Sequence, residues 1–338
     1  MKQFPDSPHA PAQTRGWPPI SVVMPILNEE RHLREAVDQI LAQNYPGEIE
    51  VVLAVGPSRD RTQEVADAIA AADPRVVVVP NPTGRTPNAL NAAIAASRNG
   101  IIARVDGHAM LPPDYLRVAV ETLVSTGADN VGGIMAAEGI TAFEKAVACA
   151  MTSKIGVGAA AFHVGGQAGP ADTVYLGVFR RSALDRVGGY DEHFQRAQDW
   201  EMNHRIRRTG GLVWFEPRMR VTYRPRPNVK ALAKQYFHYG RWRRVVARTH
   251  EGTINLRYLA PPAAVLAMLL GLVVSPFFPL GLVIPGGYAL AIVAGSVVTG
   301  SGLPLSARLR LPLVYAAMHC SWGWGFLTSP KALASPPR

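Results

Sequence analysis

Apolar residues in the first 110 positions of the chain follow two alternating spacings. Continuous apolar runs predict buried strands at 21–27, 50–55, 76–79 and 101–105. Helical spacing follows in 31–43, after a capping-box pattern at Asp60, and after Thr86 as N-cap with Pro87 behind it. Strands that alternate with helices of this length predict an α/β fold with a doubly wound, mostly parallel sheet and helices on both faces.

The second half of the chain is less regular. It predicts strands at 173–179 and 212–215 and a helix at 199–208. Residues 229–257 mix aromatic and basic side chains at helical spacing, which predicts a basic amphipathic segment lying on a membrane interface. An ordinary solvated basic face is the alternative for this segment.

A long uncharged segment follows. Residues 258–307 contain no Asp, Glu, Lys, Arg or His, and this length allows two membrane spans of about 20 residues each. The expected turn residues are Pro276, Pro279, Pro285 and Gly286-Gly287. A third apolar stretch at 311–330 carries two tryptophans of the interfacial type. We expect a membrane anchor of two to three helices at 258–330, with a pair of buried core helices as the alternative.

The charge of the chain agrees with a membrane portion. Charged residues make up 18% of the sequence, below the roughly 25% typical of soluble domains. The formal net charge is +10, and residues 218–248 alone hold ten Lys or Arg and no acid. A basic stretch beside an apolar segment predicts contact with an anionic membrane surface. No nucleic-acid motif accompanies it, so nucleic acid is not an expected partner.

The cysteines and the N-terminus indicate the compartment. Cys149 and Cys320 have neither zinc-site spacing nor the density of a disulfide framework, which suits the reducing cytosol. The proline-rich residues 1–19 predict a disordered arm and lack the apolar core of a signal peptide. We therefore expect the domain at 20–228 on the cytoplasmic side of the cell membrane, held by a multi-pass anchor.

Polar residues at the ends of the predicted strands indicate a ligand site, because such sheets bind ligands at their carboxyl edge. Asn28, Gly56 and Asp106 fall at these ends. An aspartate that ends a buried strand, with His108 two residues on, can hold a divalent cation and a diphosphate. Asp-Gly is also a common turn dipeptide, so a plain turn is the alternative. Acids favour helix starts, so helix capping is the alternative role for Asp199.

Five motifs, in order, resemble family 2 glycosyltransferases of the GT-A fold over residues 20–250. They are Val22–Glu30, Gly84–Ile94, Asp106-Gly107-His108, Val187–Glu192 and Gln198–Glu201. The chain is most similar to the bacterial succinoglycan and exopolysaccharide type, in which the metal motif takes an Asp-x-His form. Segments such as those at 172–177 and 235–240 are also expected in that type.

The resemblance implies a metal-dependent, inverting glycosyltransferase of the hexosyltransferase class. It implies transfer of a sugar from a nucleotide-sugar donor to a lipid-linked saccharide in exopolysaccharide or cell-envelope glycan synthesis. Mg²⁺ or Mn²⁺ on Asp106 and His108 would neutralise the donor diphosphate, and Asp199 would be the catalytic base. Transfer to a polyprenyl phosphate, and saccharide binding without catalysis, are the alternative functions.

The resemblance also implies which residues line the site. The donor-binding residues would be Pro25, Asn28, Glu29, Gly56, Asp60, Asn88, Asn91 and Asp106. The acceptor-side residues would be Asp172, Gly189, Tyr190, Gln198 and Trp200. Phosphate contacts are expected among Arg180, Arg181, Arg205 and Arg207.

Three positions refine this assignment. Val55-Gly56 stands where the family often has an acid for the nucleotide, which leaves the base identity open. Gln235 is too far from Arg241-Trp242 for the motif of processive enzymes. Glu201 should point to a different helix face from Asp199, so its removal should be the milder change.

Overall fold

A computed structural model of the protein describes residues 16–334. Of the expected N-terminal arm at 1–19, residues 1–15 lie outside the described residues. Within 16–334, eight strands form one sheet, with the bounds β1 Ile20–Ile26, β2 Ile49–Val55, β3 Val76–Pro80, β4 Ile101–Arg104, β5 Asn130–Ala137, β6 Gly169–Pro170, β7 Tyr175–Arg180 and β8 Val213–Tyr223. Their order across the sheet is β3-β2-β1-β4-β7-β5-β8-β6.

Fourteen α-helices accompany the sheet in the same part of the chain. Those of the N-terminal domain are α1 Leu33–Leu41, α2 Thr62–Ala72, α3 Thr86–Ala96, α4 Tyr115–Thr126, α5 Ala142–Met151, α6 Lys154–Val157, α7 Ala161–Val164, α8 Arg181–Val187 and α9 Gln198–Arg208. The C-terminal ones are α10 Val229–Thr249, α11 Leu256–Val274, α12 Val283–Thr299, α13 Leu305–Arg308 and α14 Leu311–Leu327.

The N-terminal half of the sheet is parallel, as its apolar runs predict. β1 pairs in parallel with β2 and β4, and β2 pairs in parallel with β3. Every residue of β2 is buried, because α1, α2 and α4 cover one face of the sheet and α3, α8 and α9 cover the other. The expected α/β architecture with helices on both faces is therefore confirmed.

The second half makes the sheet mixed. β7 lies between β4 and β5 and runs antiparallel to both, and β6 is antiparallel to β8. β5 pairs in parallel with β8, with a register shift between Gly132 and Ile134. The backbone of Met219 crosses so close to Gly133 that a side chain there would collide with it. Glycine at position 133 is thus what lets the long strand β8 stay paired through the bulge.

Two predicted helix starts differ from the structure. The capping box expected at Asp60 is wrong, since α2 begins at Thr62 and the Asp60 carboxylate accepts from the backbone and hydroxyl of Thr62 at 3.2 and 2.5 Å. Thr86 is the first residue of α3 rather than its N-cap, which is the extended residue Arg85. Pro87 lies in the first turn as expected, where a missing N–H costs nothing.

The basic segment forms α10, and α10 packs lengthwise on α14. Two glycines allow the close approach, because Gly240 of α10 lies against the backbone of Trp322 and Gly325 of α14 lies against the backbone of Phe237. Leu232 and Tyr236 are buried in a cluster with residues of α14, and Trp242 is buried beside Phe194. The apolar face that was expected to lie on lipid is therefore largely occupied by protein contacts.

Within residues 16–334, two helical segments are long and apolar enough to cross a membrane, namely Leu256–Val274 and Pro279–Thr299. Their side chains are largely exposed, with Leu256, Leu280 and Val298 at 84, 80 and 73%. An exposed apolar surface of this extent is typical of lipid contact. The chain turns between the two segments at 275–278, whereas Pro285 and Gly286-Gly287, expected in the turn, lie inside α12.

A hairpin of two spans would return the chain to its starting side, and Arg308 and Arg310 follow it. We expect reporter fusions at Ser301 and at the N-terminus to report the same side of the membrane. A fusion at Pro276, between the two segments, should report the opposite side. Opposite sides for the first two fusions would contradict the hairpin.

Candidate active site

The candidate metal motif follows directly from the end of β4. β4 pairs with β1 up to Arg104, and the chain then leaves the sheet. The backbone closes a tight turn in which Ala109 N–H donates to the Asp106 carbonyl at 2.9 Å. A side chain at Gly107 would lie 2.9 Å from Ile26 and 3.1 Å from Glu29, so glycine lets this turn pack onto the loop after β1. The backbone therefore forms the turn that was the alternative prediction. This turn uses backbone groups, so the side chains of Asp106 and His108 can still bind a ligand.

Arg104 joins the two acids on which the predicted chemistry depends. Its side chain is only 6% exposed, and its Nε and Nη2 donate to Asp106 Oδ1 at 3.2 and 3.1 Å. Its Nη1 donates to Asp199 Oδ1. One buried guanidinium therefore lies between the candidate metal ligand and the candidate base, which are far apart in the sequence.

Asp199 lies in the first turn of α9. The N-cap residue is Ala197 in the left-handed conformation, with φ of 61°, and the Asp199 carboxylate binds Arg104. The capping alternative for Asp199 is therefore wrong. Withdrawal from water raises the pKa of Asp199, the Arg104 guanidinium opposes this, and the charge of Asp106 raises it again. A carboxylate with a raised pKa is a stronger proton acceptor, as a general base requires.

Glu29 and His108 form the second polar pair of the site. Glu29 Oε1 lies 2.7 Å from His108 Nδ1, and this hydrogen bond raises the pKa of His108. Carboxylates hold metal-binding histidines in the same manner, which leaves Nε2 for the ion. Glu29, expected at the donor, thus has a direct structural role in orienting His108.

The donor set of the site suits a cation that is shared with a substrate. In the described part of the chain no cluster of three or more acidic, histidine or cysteine side chains could enclose a metal. Magnesium commonly binds one or two protein ligands and completes its shell with phosphate oxygens and water. Asp106 and His108 fit that pattern, and a fully enclosed metal site does not.

The expected donor loops are held together by their own side chains. Asn28 adopts a φ of 57°, its N–H donates to Ser58 Oγ at 3.0 Å, and its Oδ1 accepts from Arg59 N–H at 2.8 Å. The hydrogen bond from the Thr62 hydroxyl lowers the pKa of Asp60, whose carboxylate also accepts from Glu30 N–H at 3.3 Å. These residues fix the ends of β1 and β2 relative to each other.

Gly56 and Pro25 lie beside these loops. A side chain at Gly56 would lie 3.2 Å from the Cα of Gly84, so two backbones meet there and can approach a ligand closely. Pro25 pairs with Ala54 of β2, beyond the point at which β4 leaves β1. Its missing N–H falls on the side of the strand that β4 no longer covers.

Asn88 and Asn91 contact the acceptor-side segment. Asn91 Nδ2 donates to the Tyr190 carbonyl at 2.8 Å and Asn91 Oδ1 accepts from Tyr190 N–H at 2.8 Å. Both asparagines also donate to Glu192. Gly189, at φ of 73°, lies so close to Asn91 that a side chain would be 2.8 Å from Asn91 Oδ1. The structure thus joins the predicted donor and acceptor motifs through α3.

The remaining acceptor-side residues lie on or near α9. Gln198 is its first residue, and Trp200 stacks on His204 with ring centroids 5.2 Å apart. The Trp200 ring also lies 4.2 Å from the guanidinium of Arg243 in α10. Asp172 pairs with Arg207 at 3.0 Å near the surface. Asp199, in the first turn of the same helix, contacts Arg104.

Several expectations about charged residues are corrected by the structure. The arginines proposed as phosphate contacts are occupied by protein groups, Arg180 and Arg181 by backbone carbonyls, Arg205 by Glu201 and Arg207 by Asp172. Glu201 does point away from Asp199, but it is 1% exposed and bound by Arg205 and His250 at 2.6 and 3.1 Å. Its removal would break a buried ion pair, so it is not a mild change.

Comparisons with known proteins agree with this geometry. Residues 21–188 match the family model described as Glycosyl transferase family 2. The chain is 32% identical over 312 residues to the succinoglycan biosynthesis protein ExoA of Rhizobium meliloti, covering 90% of this chain and 93% of that protein. The chain belongs to glycosyl transferase family 2. It is therefore a glycosyltransferase, and the family predicted from the motifs is confirmed.

Two further relatives are similar over nearly the whole chain. The dolichyl N-acetyl-alpha-D-glucosaminyl phosphate 3-beta-D-2,3-diacetamido-2,3-dideoxy-beta-D-glucuronosyltransferase of Methanococcus voltae is 24% identical over 318 residues, which are 91% of this chain and 95% of that one. The mannosyltransferase PcManGT from Pyrobaculum calidifontis, solved with GDP-Man and Mn²⁺, superposes with a TM-score of 0.59 at 20% identity. The superposition covers 92% of this chain and 87% of the mannosyltransferase chain. The GT-A fold of the family 2 chain is confirmed.

We expect Arg104→Met to change the pH dependence of this glycosyltransferase as well as its rate. Without the guanidinium the pKa of Asp199 rises further, because the opposing positive charge is lost. A base works deprotonated, so the acidic limb of the pH–rate profile should move to higher pH, by about one unit or more. Nucleotide release measured against pH checks this.

Two variants serve as comparisons for Arg104→Met. Arg104→Lys keeps the charge and should restore part of the original profile. Arg75→Met removes an exposed arginine that pairs with Asp73 and should leave the profile unchanged. A slower Arg104→Met enzyme with the original pH profile would mean that Arg104 acts only in folding.

Proposed function

We propose that this chain transfers one sugar from a nucleotide-sugar donor to a lipid-linked saccharide by a single inverting displacement. The reaction would serve exopolysaccharide or cell-envelope glycan synthesis. The observation that carries the proposal is the contact of Asp106 and Asp199 with one buried guanidinium at the carboxyl edge of the sheet. A residue that can hold the leaving group and a residue that can activate the nucleophile meet there.

Donor binding involves the residues after β1, β2 and β4. A divalent cation, Mg²⁺ or Mn²⁺, supplies charge neutralisation of the departing nucleoside diphosphate when it is bound. Asp106 and His108 would hold it, with His108 oriented by Glu29. The Mn²⁺ and GDP-Man of the structurally similar mannosyltransferase support a metal-dependent donor site.

Asp199 would take the proton of the acceptor hydroxyl. The oxygen then attacks the anomeric carbon as the bond to the diphosphate breaks on the opposite face, which inverts the configuration. Arg104 holds the carboxylate in place until the acceptor arrives. A direct displacement needs no covalent enzyme intermediate, so no activated serine or cysteine is required.

The acceptor side adjoins the helices of the membrane hairpin. Trp200, next to the base, stacks on Arg243 of α10, and the Arg243 guanidinium lies 3.9 Å from the Tyr258 ring in α11. This chain of contacts links the active site to the first candidate span and supports a lipid-linked acceptor. We infer a multi-pass protein of the cell membrane, with its catalytic domain cytoplasmic and the cations of 218–248 facing anionic lipid.

The test of this function is nucleotide release by the purified full chain in detergent, with a panel of nucleotide sugars and Mn²⁺ or Mg²⁺. We expect Asp106→Asn to reduce turnover about 10²-fold or more, since the diphosphate charge loses its counter-ion. Mn²⁺ binding should weaken in the same variant. Wild-type rates in Asp106→Asn, or turnover that survives saturating chelator, would refute the metal assignment.

Asp199→Asn keeps the size of the side chain and should still fold and bind the donor, with a lower melting temperature because buried Arg104 loses one counter-ion. Turnover should fall about 10²-fold or more because no base remains. Melting temperature, nucleotide affinity and rate are measured together. The matched control is Asp185→Asn on α8, an exposed position, which should behave like the wild type. Full activity in Asp199→Asn would exclude Asp199 as the base.

A further inference from the structure

A small basic cleft lies beside the catalytic residues. It has a volume of about 270 Å³ and is lined by Arg196, Arg226, Ala231, Lys234, Gln235, His238 and Tyr239. Its lining includes three permanent cations and one histidine, and no acid. None of these side chains has a role in the donor-site and base assignments above.

The positive charges of the cleft lack a counter-ion. In residues 16–334, Arg196, Arg226 and Lys234 take part in none of the ion pairs. Burial lowers the pKa of His238, and the charges of Arg196, Arg241 and Lys234 lower it further. Cations crowded in this way repel one another, and a bound anion removes the repulsion.

Two tyrosine hydroxyls lie at Gln235, that of Tyr239, which lines the cleft, and that of Tyr223 at the end of β8. Gln235 Nε2 donates to Tyr223 and to Tyr239 at 2.8 Å each. Each tyrosine oxygen therefore acts as an acceptor toward Gln235, and its own O–H is available to donate to a ligand. Hydroxyl donors beside arginine and lysine are the usual partners of phosphate oxygens.

The cleft adjoins both halves of the catalytic site. Thr222 N–H donates to the Met110 carbonyl at 3.3 Å, which ties the end of β8 to the loop that carries Asp106 and His108. On the other side, Arg196 directly precedes the residue that caps the Asp199 helix.

The position of the cleft favours the acceptor over the donor. The donor loops lie after β1, β2 and in α3, whereas the cleft is formed by α10 and the segment after β8. α10 packs on α14, and α14 in turn contacts the hairpin helices α11 and α12. The helix that lines most of the cleft is thus connected by packing to the two candidate membrane spans.

We propose that the basic cleft binds the phosphate or diphosphate group that joins the acceptor saccharide to its lipid. This inference rests on the proposed function, since it identifies the binding site of the acceptor's phosphate or diphosphate group. Arg226 and Lys234 would bind the phosphate oxygens, and the Tyr223 and Tyr239 hydroxyls would orient them. The saccharide would then extend from the cleft toward Asp199.

The experiment measures binding of farnesyl diphosphate, a short lipid diphosphate, to the full chain in detergent without turnover. Arg226→Gln and Lys234→Gln should each weaken this binding about tenfold, the loss expected for one charge-assisted hydrogen bond. Binding of GDP and UDP with Mn²⁺ should stay unchanged. Arg75→Gln and Lys145→Gln make the same charge changes at exposed positions outside the cleft and should change neither.

Three results would overturn the proposal. Unchanged farnesyl diphosphate binding in both variants would remove the cleft as its site. Equal losses for the nucleoside diphosphates would assign the cleft to the donor. If the two variants lost binding to phosphatidylglycerol vesicles but kept binding to farnesyl diphosphate, the cleft would be a contact surface for the bulk lipid instead.

Failure of the proposed function is separable from failure of the cleft. A wild-type chain that releases nucleotide from no donor, but whose cleft variants lose farnesyl diphosphate, would keep the lipid diphosphate site and lose the transferase proposal. An active wild type whose variants bind the probe normally would keep the transferase proposal and lose the site.

Discussion

The arrangement of the active site depends on one buried cation shared by two carboxylates. Arg104 is nearly inaccessible to solvent and holds Asp106 and Asp199 on opposite sides of its guanidinium. Either acid alone would leave the buried charge only partly neutralised, and burying a charge is costly unless it is paired. β4, which carries Arg104, and α9, which carries Asp199, are thereby held together at the edge of the sheet. The same contact offsets part of the repulsion between two carboxylates that lie close together.

The parallel half of the fold could be predicted from the sequence because its signal is local. Each of the first four strands is a continuous apolar run, and each intervening helix shows its own spacing. β5 lacks such a run, since it is interrupted by Gly132, which lies against the start of β7, and by Gly133, which lies against β8. The sequence could not predict that β7 runs antiparallel to its neighbours, because the pattern of apolar residues is the same for a parallel and an antiparallel strand. Only the packing of β7 between β4 and β5 defines it.

The site was predicted as a set of residues and not as a set of contacts. Asp106, His108 and Asp199 follow from motifs, whereas Arg104 was overlooked although a charged residue within an apolar strand was visible in the sequence. Its partner Asp199 is 95 positions away, and no local pattern reports such a distance. The same limit applies to α10, because a sequence pattern does not distinguish an apolar face covered by lipid from one covered by α14.

The close contact of α10 with α14 has a geometric consequence for substrate choice. Backbones that meet at Gly240 and Gly325 leave little room to slide or tilt. Asp199, the candidate base, is then held at a fixed distance from the apolar hairpin, since Trp200, Arg243 and Tyr258 connect the two. If the hairpin spans the membrane and Asp199 is the base, as proposed, this fixed distance would act as a ruler that selects acceptors whose glycan brings its terminal hydroxyl to Asp199.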